Sequence, residues 1–87
     1  MLKNIKLLFF SFKVSWVRMR DADILTVDRY TFVGDERFEA HYKKDQETWN
    51  LVIKYVQERD AGIYECQVST EPKMSQFFNL RVVGKYI

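Results

Sequence analysis

The stretch Asp60-Ala61-Gly62-Ile63-Tyr64-Glu65-Cys66 decides the fold class of this chain. It has the form D-x-G-x-Y-x-C, and its residue types suit the corner where a turn enters a β-strand. Asp60 offers a carboxylate for a salt bridge at the turn, and Gly62 permits the tight backbone that the turn needs. Tyr64 stands two residues before Cys66, where a tyrosine-corner hydroxyl can bond to the backbone upstream. The stretch therefore predicts one strand of an antiparallel β-sandwich.

Short alternating segments on either side of this corner predict the rest of the sandwich. Trp16 lies fifty residues before Cys66, and we expect both side chains to point into one core. Polar turns separate segments in which apolar and polar residues alternate, a pattern typical of half-buried strands. The predicted strands are residues 14–18, 24–27, 30–33, 37–42, 49–55 and 63–70, followed by a last strand with Phe78, Leu80 and Val82 inward. The predicted core consists of Trp16, Leu51, Ile53, Tyr64, Cys66, Val68, Leu80 and Val82.

These features resemble an immunoglobulin-like domain and predict an all-β fold, an antiparallel sandwich of the variable or I type. A complete variable-type sandwich has about 100 residues and nine strands, whereas this chain has 87 residues. We expect the sandwich to be incomplete, with strands A and B missing and strands C to G present. The resemblance implies a first cysteine on strand B, about a dozen residues before the Trp. The chain has Met1-Leu2-Lys3-Asn4 near that place.

The predicted domain organisation is a leader or non-domain segment at residues 1–12, a partial immunoglobulin-like domain at 13–83 and a tail at 84–87. The first segment has a basic start and a short apolar run, so it resembles a clipped signal peptide without a small-residue cleavage site. Ile5, Leu7 and Phe9 also alternate as an inward strand does, so the segment is a further candidate for the place of strand B. We expect marginal stability, because strand E otherwise lacks that neighbour.

Composition and charge exclude several classes of partner. The chain carries 14 basic and 12 acidic residues, and its formal net charge of +2 is too small to indicate nucleic acid or an anionic membrane. No apolar run approaches the ~20 residues of a membrane span. Asn4, Asn50 and Asn79 lack Ser or Thr two positions on, so the sequence has no N-glycosylation acceptor. The predicted class of function, recognition and not catalysis, rests on the immunoglobulin-like match at residues 60–66 with Trp16 upstream.

Catalysis, metal binding and cofactor binding are not predicted. The chain has one histidine, His41, and one cysteine, Cys66, and these fall on strands of opposite predicted sheets. A reactive thiol needs a neighbouring base, and a metal site needs three or four ligands. We therefore expect no enzyme activity, no metal, no cofactor and no small-molecule substrate. Cys66 is predicted to be a buried core residue.

Structural roles are predicted for six residues. In variable-type sandwiches an Arg at the start of strand D bridges the Asp of the turn between strands E and F. We therefore expect a bidentate pair between Arg37 and Asp60. The full set is Trp16, Arg37, Asp60, Gly62, Tyr64 and Cys66.

Three segments carry a narrower resemblance. They are residues 14–18 (VSWVR), 23–32 (DILTVDRYTF) and 55–70 (YVQERDAGIYECQVST). These segments are similar to the first immunoglobulin domain of the insect Dpr family, the "defective proboscis extension response" neuronal cell-surface proteins. The resemblance covers roughly residues 13–83, which is most of the chain.

The resemblance implies a domain that binds Dpr-interacting proteins, themselves immunoglobulin-superfamily cell-surface proteins, on partner neurons. It implies a place on the extracellular side of the plasma membrane, on neuron projections, with a second domain and an anchor outside this chain. The family contact uses the exposed face of the sheet that contains strands C, C′, C″, F and G. Alternation assigns nine residues to that face: Ser15, Val17, Ile24, Thr26, Glu65, Gln67, Ser69, Phe77 and Asn79, with the register of the C′ pair open by one residue.

Two other functions are compatible with the sequence. An intracellular structural immunoglobulin module of the muscle-filament kind stays folded without a disulfide, which fits the single cysteine. A non-functional fragment fits the missing strands. The specific matches at residues 23–32 and 55–70 favour the cell-surface recognition domain over both.

Overall fold

A computed structural model describes residues 2–3 and 12–83 of the chain; residues 2–3 are described by their backbone. It contains eight strands in these ranges and one 3-10 turn, η1 (Glu58–Asp60). The strands are β1 (Leu2–Lys3), β2 (Val14–Arg18), β3 (Asp23–Val27), β4 (Tyr30–Thr31), β5 (Phe38–Lys43), β6 (Thr48–Ile53), β7 (Gly62–Val68) and β8 (Met74–Leu80). The described part of the chain holds no helix long and apolar enough to cross a membrane.

The strands form two antiparallel sheets. One has the order β4-β3-β2-β7-β8 and the other the order β1-β6-β5. The first sheet corresponds to strands C″, C′, C, F and G of an immunoglobulin sandwich, and β6 and β5 correspond to strands E and D. The predicted all-β, immunoglobulin-like antiparallel sandwich is therefore confirmed.

Apolar side chains from both sheets fill the space between them. Trp16 and Tyr64 from the five-stranded sheet and Phe38 and Leu51 from the other sheet have no exposed surface. The Trp16 ring lies 5.4 Å from the Phe78 ring, a contact typical of tilted aromatic pairs. The full core cluster consists of Val14, Trp16, Leu25, Phe38, Ala40, Leu51, Ile53, Tyr64, Cys66 and Val68. Burial of these side chains is the main favourable term in folding.

Three predicted strand details are wrong. The strand predicted at residues 30–33 ends at Thr31, because Phe32 donates its amide hydrogen to the Leu25 carbonyl and the chain turns there. Tyr55 was predicted to continue strand E, but its backbone is left-handed, with φ 50°, and its side chain is 83% exposed. Val82 was predicted in the core, but β8 ends at Leu80 and Val82 lies outside the core cluster.

A short strand occupies the free edge of β6. Leu2 pairs with Leu51, and Lys3 pairs with Asn50, both antiparallel. This is the place that strand B takes in a complete sandwich. Phe12 packs against the core. The predicted alternation of Ile5, Leu7 and Phe9 lies outside the described residues, as does the tail predicted at 84–87.

Candidate functional site

One end of the sandwich is closed by an ion pair. Both terminal nitrogens of Arg37 donate to the Asp60 carboxylate, at 2.8 and 3.0 Å, so the predicted bidentate pair is present. Arg37 also bonds Asp35 and the backbone carbonyls of Lys54 and Tyr55, which the sequence did not predict. The hydrogen bond from Arg37 lowers the pKa of Asp60, and burial opposes this effect without overcoming it. The same bond raises the pKa of Arg37. The pair therefore stays charged at every physiological pH.

The tyrosine corner follows directly. The Tyr64 hydroxyl donates to the backbone carbonyl of Asp60 at 2.5 Å. Gly62 has φ +138°, a backbone region that favours glycine, and so it permits the tight entry into β7. Asp60 also accepts a hydrogen bond from the Gln57 amide at 2.8 Å. The corner thus fixes the start of β7 relative to the rest of the sandwich.

Cys66 lies in the core of the sandwich. It pairs across the sheet with Trp16, and its side chain is buried. The sequence contains no second cysteine with which it could form a disulfide. Both residues therefore contribute to the packed core, as predicted for their types.

The register of the five-stranded sheet builds a row of side chains on its outer face. Residues directly opposite one another on paired strands share a face. Val17 pairs with Ile24 on one side and with Glu65 on the other, and Glu65 pairs with Phe77. We call Ile24, Val17, Glu65 and Phe77 the apolar row, because three of its four members are apolar. Ile24 is 47% exposed and Phe77 60% exposed, so large apolar side chains face solvent at both ends of the row.

A second row runs beside the first. Ser15 pairs with Val27 on β3 and with Gln67 on β7, and Gln67 pairs with Ser75 on β8. We call Val27, Ser15, Gln67 and Ser75 the polar row, because three of its four members carry hydroxyl or amide groups. The two rows together form the surface that we call the outer face.

One predicted contact residue, Thr26, lies on the wrong side of the sheet. It pairs with Trp16, which points into the core, and its side chain has no exposed surface. The register of β2 and β3 shifts between Trp16 and Val17, so that Leu25 is an extra residue on β3. This bulge brings Val27, which the sequence analysis did not include, to the outer face in place of Thr26.

Glu65 is a buried carboxylate on the outer face. Only 5% of the residue is exposed. Its carboxylate accepts hydrogen bonds from Gln67 Nε2 at 2.8 Å and from Ser75 Oγ at 2.5 Å, and Lys73 Nζ lies 3.7 Å away. Burial alone raises the pKa of Glu65, but the hydrogen bonds from Ser75 and Gln67 and the charge of Lys73 outweigh burial and lower it. Glu65 is therefore ionised at neutral pH.

The remaining predicted contact residues lie near the edges of the outer face. Asn79 is exposed and pairs with Ile63, which is also exposed and which alternation should have placed on this face. Ser69 follows the end of β7, and its hydroxyl accepts a hydrogen bond from the Lys13 amide at 2.8 Å. A shallow depression of about 320 Å³ opens beside the polar row, with Lys13 and Lys73 on its walls. The outer face is thus rimmed by polar and basic groups on that side.

Metal-binding groupings are absent from the part of the chain that the structure describes. No three His, Cys, Asp or Glu side chains there lie close enough to hold a metal ion. His41 lies on β5, in the other sheet, and contacts Glu39 at 2.9 Å. The exposure of the apolar residues Ile24 and Phe77 makes the outer face the candidate functional site.

Comparison with known proteins gives a consistent family match. The family model of the immunoglobulin V-set domain matches residues 9–83. The Zwei Ig domain protein zig-8 of Caenorhabditis elegans is 30% identical over 57 residues, which cover 66% of this chain and 21% of that protein. The chain spans about a fifth of the length of the curated relatives it matches.

Two solved structures are more similar to this chain than these curated relatives are. The first immunoglobulin domain of Dpr11, solved bound to DIP-gamma, is 55% identical with a TM-score of 0.86, and the match covers 94% of this chain and 85% of that chain. The first immunoglobulin domain of Dpr1, solved bound to DIP-eta, is 46% identical with a TM-score of 0.78, and the match covers 85% of this chain and 70% of that one.

Proposed function

Because this chain belongs to the immunoglobulin V-set family, as a first immunoglobulin domain of the Dpr group, we propose that it mediates heterophilic adhesion between neurons. Its partners in this proposal are Dpr-interacting proteins, and its role is the matching of cells at synapses. The first immunoglobulin domains of Dpr11 and Dpr1, to which it is similar, were both solved bound to such a protein. The proposal places the chain on the extracellular side of the plasma membrane, on neuron projections.

The observation that carries the proposal is the exposure of Ile24 and Phe77 on the outer face. Fully buried apolar side chains at the centre of an interface, surrounded by polar groups, supply most of its binding energy. Val17 lies between Ile24 and Glu65 and fills the centre of the apolar row. The serines, the amide of Gln67 and the rim of lysines supply the polar surround. The proposed contact residues are Ser15, Val17, Ile24, Val27, Gln67, Phe77 and Asn79, with Ser69 at the edge.

The test is binding of this chain to a panel of first immunoglobulin domains of Dpr-interacting proteins, measured by surface plasmon resonance. At least one panel member should bind the wild-type chain. Ile24→Asp should weaken that binding by about 2–5 kcal/mol, because docking would bury an unpaired charge. The free protein should tolerate the change, since Ile24 is half exposed.

The matched control is Glu39→Ala, on β5 of the other sheet. It should leave affinity unchanged, because no residue of β5 belongs to the outer face. If Glu39→Ala abolishes binding and Ile24→Asp does not, the interface lies on the other sheet. If no panel member binds the wild-type chain, the proposal fails, and the structural-module and fragment hypotheses are favoured.

A further inference from the structure

The Glu65 carboxylate of β7 lies on the outer face between Val17 of β2 and Phe77 of β8, its partners on the two neighbouring strands. An isolated charge is costly at a place that water hardly reaches, and more so once a partner covers it. Both oxygens of this carboxylate are nevertheless engaged by groups of its own chain, Oε1 by Gln67 and Oε2 by Ser75. Each oxygen of Glu65 therefore already accepts a hydrogen bond from its own chain before a partner docks.

The carboxylate dictates how its neighbours are oriented. An ionised carboxylate only accepts hydrogen bonds, so the Gln67 side chain must turn its NH₂ group towards Glu65. The amide oxygen of Gln67 is then directed away from Glu65. No donor from the described part of the chain reaches that oxygen. The same logic commits the Ser75 hydroxyl hydrogen to Glu65 and leaves Ser75 with acceptor lone pairs only.

We propose that Glu65 is a positioning residue of the outer face, which orients Gln67 and Ser75 so that the docked partner meets hydrogen-bond acceptors along the polar row. The inference rests on the proposed function and deepens it. The partner must place a hydrogen-bond donor, such as an amide, a hydroxyl or a backbone N–H, opposite Gln67. A partner that offers an acceptor there leaves two acceptors facing each other in a dry interface, which is strongly unfavourable.

The arrangement needs no rearrangement at the moment of binding. Lys73, at 3.7 Å and on the rim, partly balances the charge of Glu65 and leaves the centre of the face to neutral groups. The donors of Gln67 and Ser75 keep the carboxylate ionised after water is removed. Groups already held in their bound geometry lose little further conformational freedom, and this improves affinity.

The first experiment is a double-mutant cycle on binding to the panel member that the wild-type chain binds. Glu65→Gln keeps the shape of the side chain but lets Gln67 turn either way, so affinity should fall by up to about tenfold, the worth of one neutral hydrogen bond across the interface. Gln67→Ala should also weaken binding. Because Glu65 acts through its neighbours, the loss of affinity in the double variant should be far smaller than the product of the losses in the two single variants.

The matched control is Glu39→Gln, the same change at a carboxylate that is bonded by His41 and Lys54 on the other sheet. It should leave binding unchanged. If Glu65→Gln binds as well as the wild type, or if the losses of the two variants multiply, the positioning role is wrong.

The second experiment needs no partner, so it separates this inference from the proposed function. The side-chain amide protons of Gln67 are followed by NMR as the free chain is titrated from neutral to acid pH. They should shift as Glu65 takes up its proton, with a midpoint below the ordinary glutamate value of 4.5, and Glu65→Gln should abolish the transition. Gln46, in an exposed turn, serves as the reference. If the Gln67 amide behaves as the Gln46 amide does, the inference is overturned, whether or not the chain binds a Dpr-interacting protein.

Discussion

Asp60 and Glu65 are two carboxylates that water hardly reaches, five positions apart in the chain, and their surroundings differ in kind. Asp60 is held by a guanidinium, that of Arg37, in a bidentate pair at the end of the sandwich. Glu65 is held by the neutral donors of Gln67 and Ser75 on a surface with exposed apolar neighbours. The difference indicates that the first carboxylate closes the fold and the second prepares a binding surface. The predictions below test this division of roles.

Asp60→Ala should have the largest effect. The change leaves the Arg37 guanidinium without its main partner in a poorly hydrated place, and such losses cost about 3–5 kcal/mol of folding stability. Urea unfolding followed by tryptophan fluorescence measures the loss. Asp21→Ala is the control, because Asp21 is exposed and its pair with Arg18 lies on the surface. An unchanged unfolding midpoint for Asp60→Ala would contradict a structural role for the corner.

Acid should weaken the same corner. The folded-state pKa of Asp60 is lowered, so its contribution to stability is fully present above the ordinary aspartate value of 3.8 and is lost as the pH falls through the folded value. The urea midpoint of the wild type should therefore decrease once the pH is lowered below 3.8. The fall should be smaller in Asp60→Asn, which has no proton to take up at that position. Equal pH profiles would place the acid lability elsewhere.

Phe77→Ala should separate binding from folding. The ring is 60% exposed in the free chain, so we expect the unfolding free energy to change by less than about 0.5 kcal/mol. Binding to a Dpr-interacting protein should weaken by about 2 kcal/mol, the loss typical of an aromatic side chain that a partner buries. Surface plasmon resonance and urea unfolding on the same preparation measure the two quantities. A loss of stability without a loss of affinity would make Phe77 a residue of the fold.

Tyr64→Phe should have a smaller effect on stability. It removes the hydroxyl that donates to the Asp60 carbonyl and keeps the buried ring. A single neutral hydrogen bond contributes about 1 kcal/mol to stability. The urea midpoint should fall slightly, and affinity for the partner should stay the same, because the ring is directed into the core. A loss of affinity would show that the corner and the outer face are coupled.

Thr31→Val should have the smallest effect. The hydroxyl of Thr31 donates to the Phe38 carbonyl at 2.9 Å, at an exposed edge of the sandwich and away from both carboxylates. Water can replace this hydrogen bond, so we expect stability and affinity to stay within about 0.5 kcal/mol of the wild type. The two assays above measure both. A larger change would mean that the edge formed by β4 contributes to one of the two roles.

The corner was predictable from sequence because each of its parts depends on short-range spacing. Asp60, Gly62 and Tyr64 lie within five residues, and the conformation they impose needs no knowledge of distant strands. The composition of the outer face depends on the register between strands. Alternation predicts that register only as far as the first bulge, because a bulge moves the following residues to the opposite face. For that reason Thr26 was placed on the wrong side and Val27 was missed. The two donors to Glu65 could not be inferred either. Alternation places Glu65 on the outer face but does not show that its carboxylate is buried, which depends on the positions of Gln67 and Ser75 in the folded sheet.

The strand edge of β6 was the other feature that the sequence left open. Alternation offered Ile5, Leu7 and Phe9 as its neighbour, and these lie outside the described residues; within the described residues Leu2 and Lys3 pair with β6. Short apolar runs are ambiguous as to type and register. The left-handed backbone at Tyr55 could not be predicted from the sequence either, because it is held by long-range hydrogen bonds from Arg37 to the carbonyls of Lys54 and Tyr55.

The burial of Cys66 makes this chain its own reporter of opening. A water-soluble thiol reagent reaches the sulfur only when the two sheets separate around Trp16, so the labelling rate measures how often the sandwich opens. When closing is faster than labelling, that rate divided by the rate in the unfolded chain gives the opening equilibrium. With one cysteine in the sequence, each labelled molecule gains a single adduct, and mass spectrometry reads the fraction that has opened.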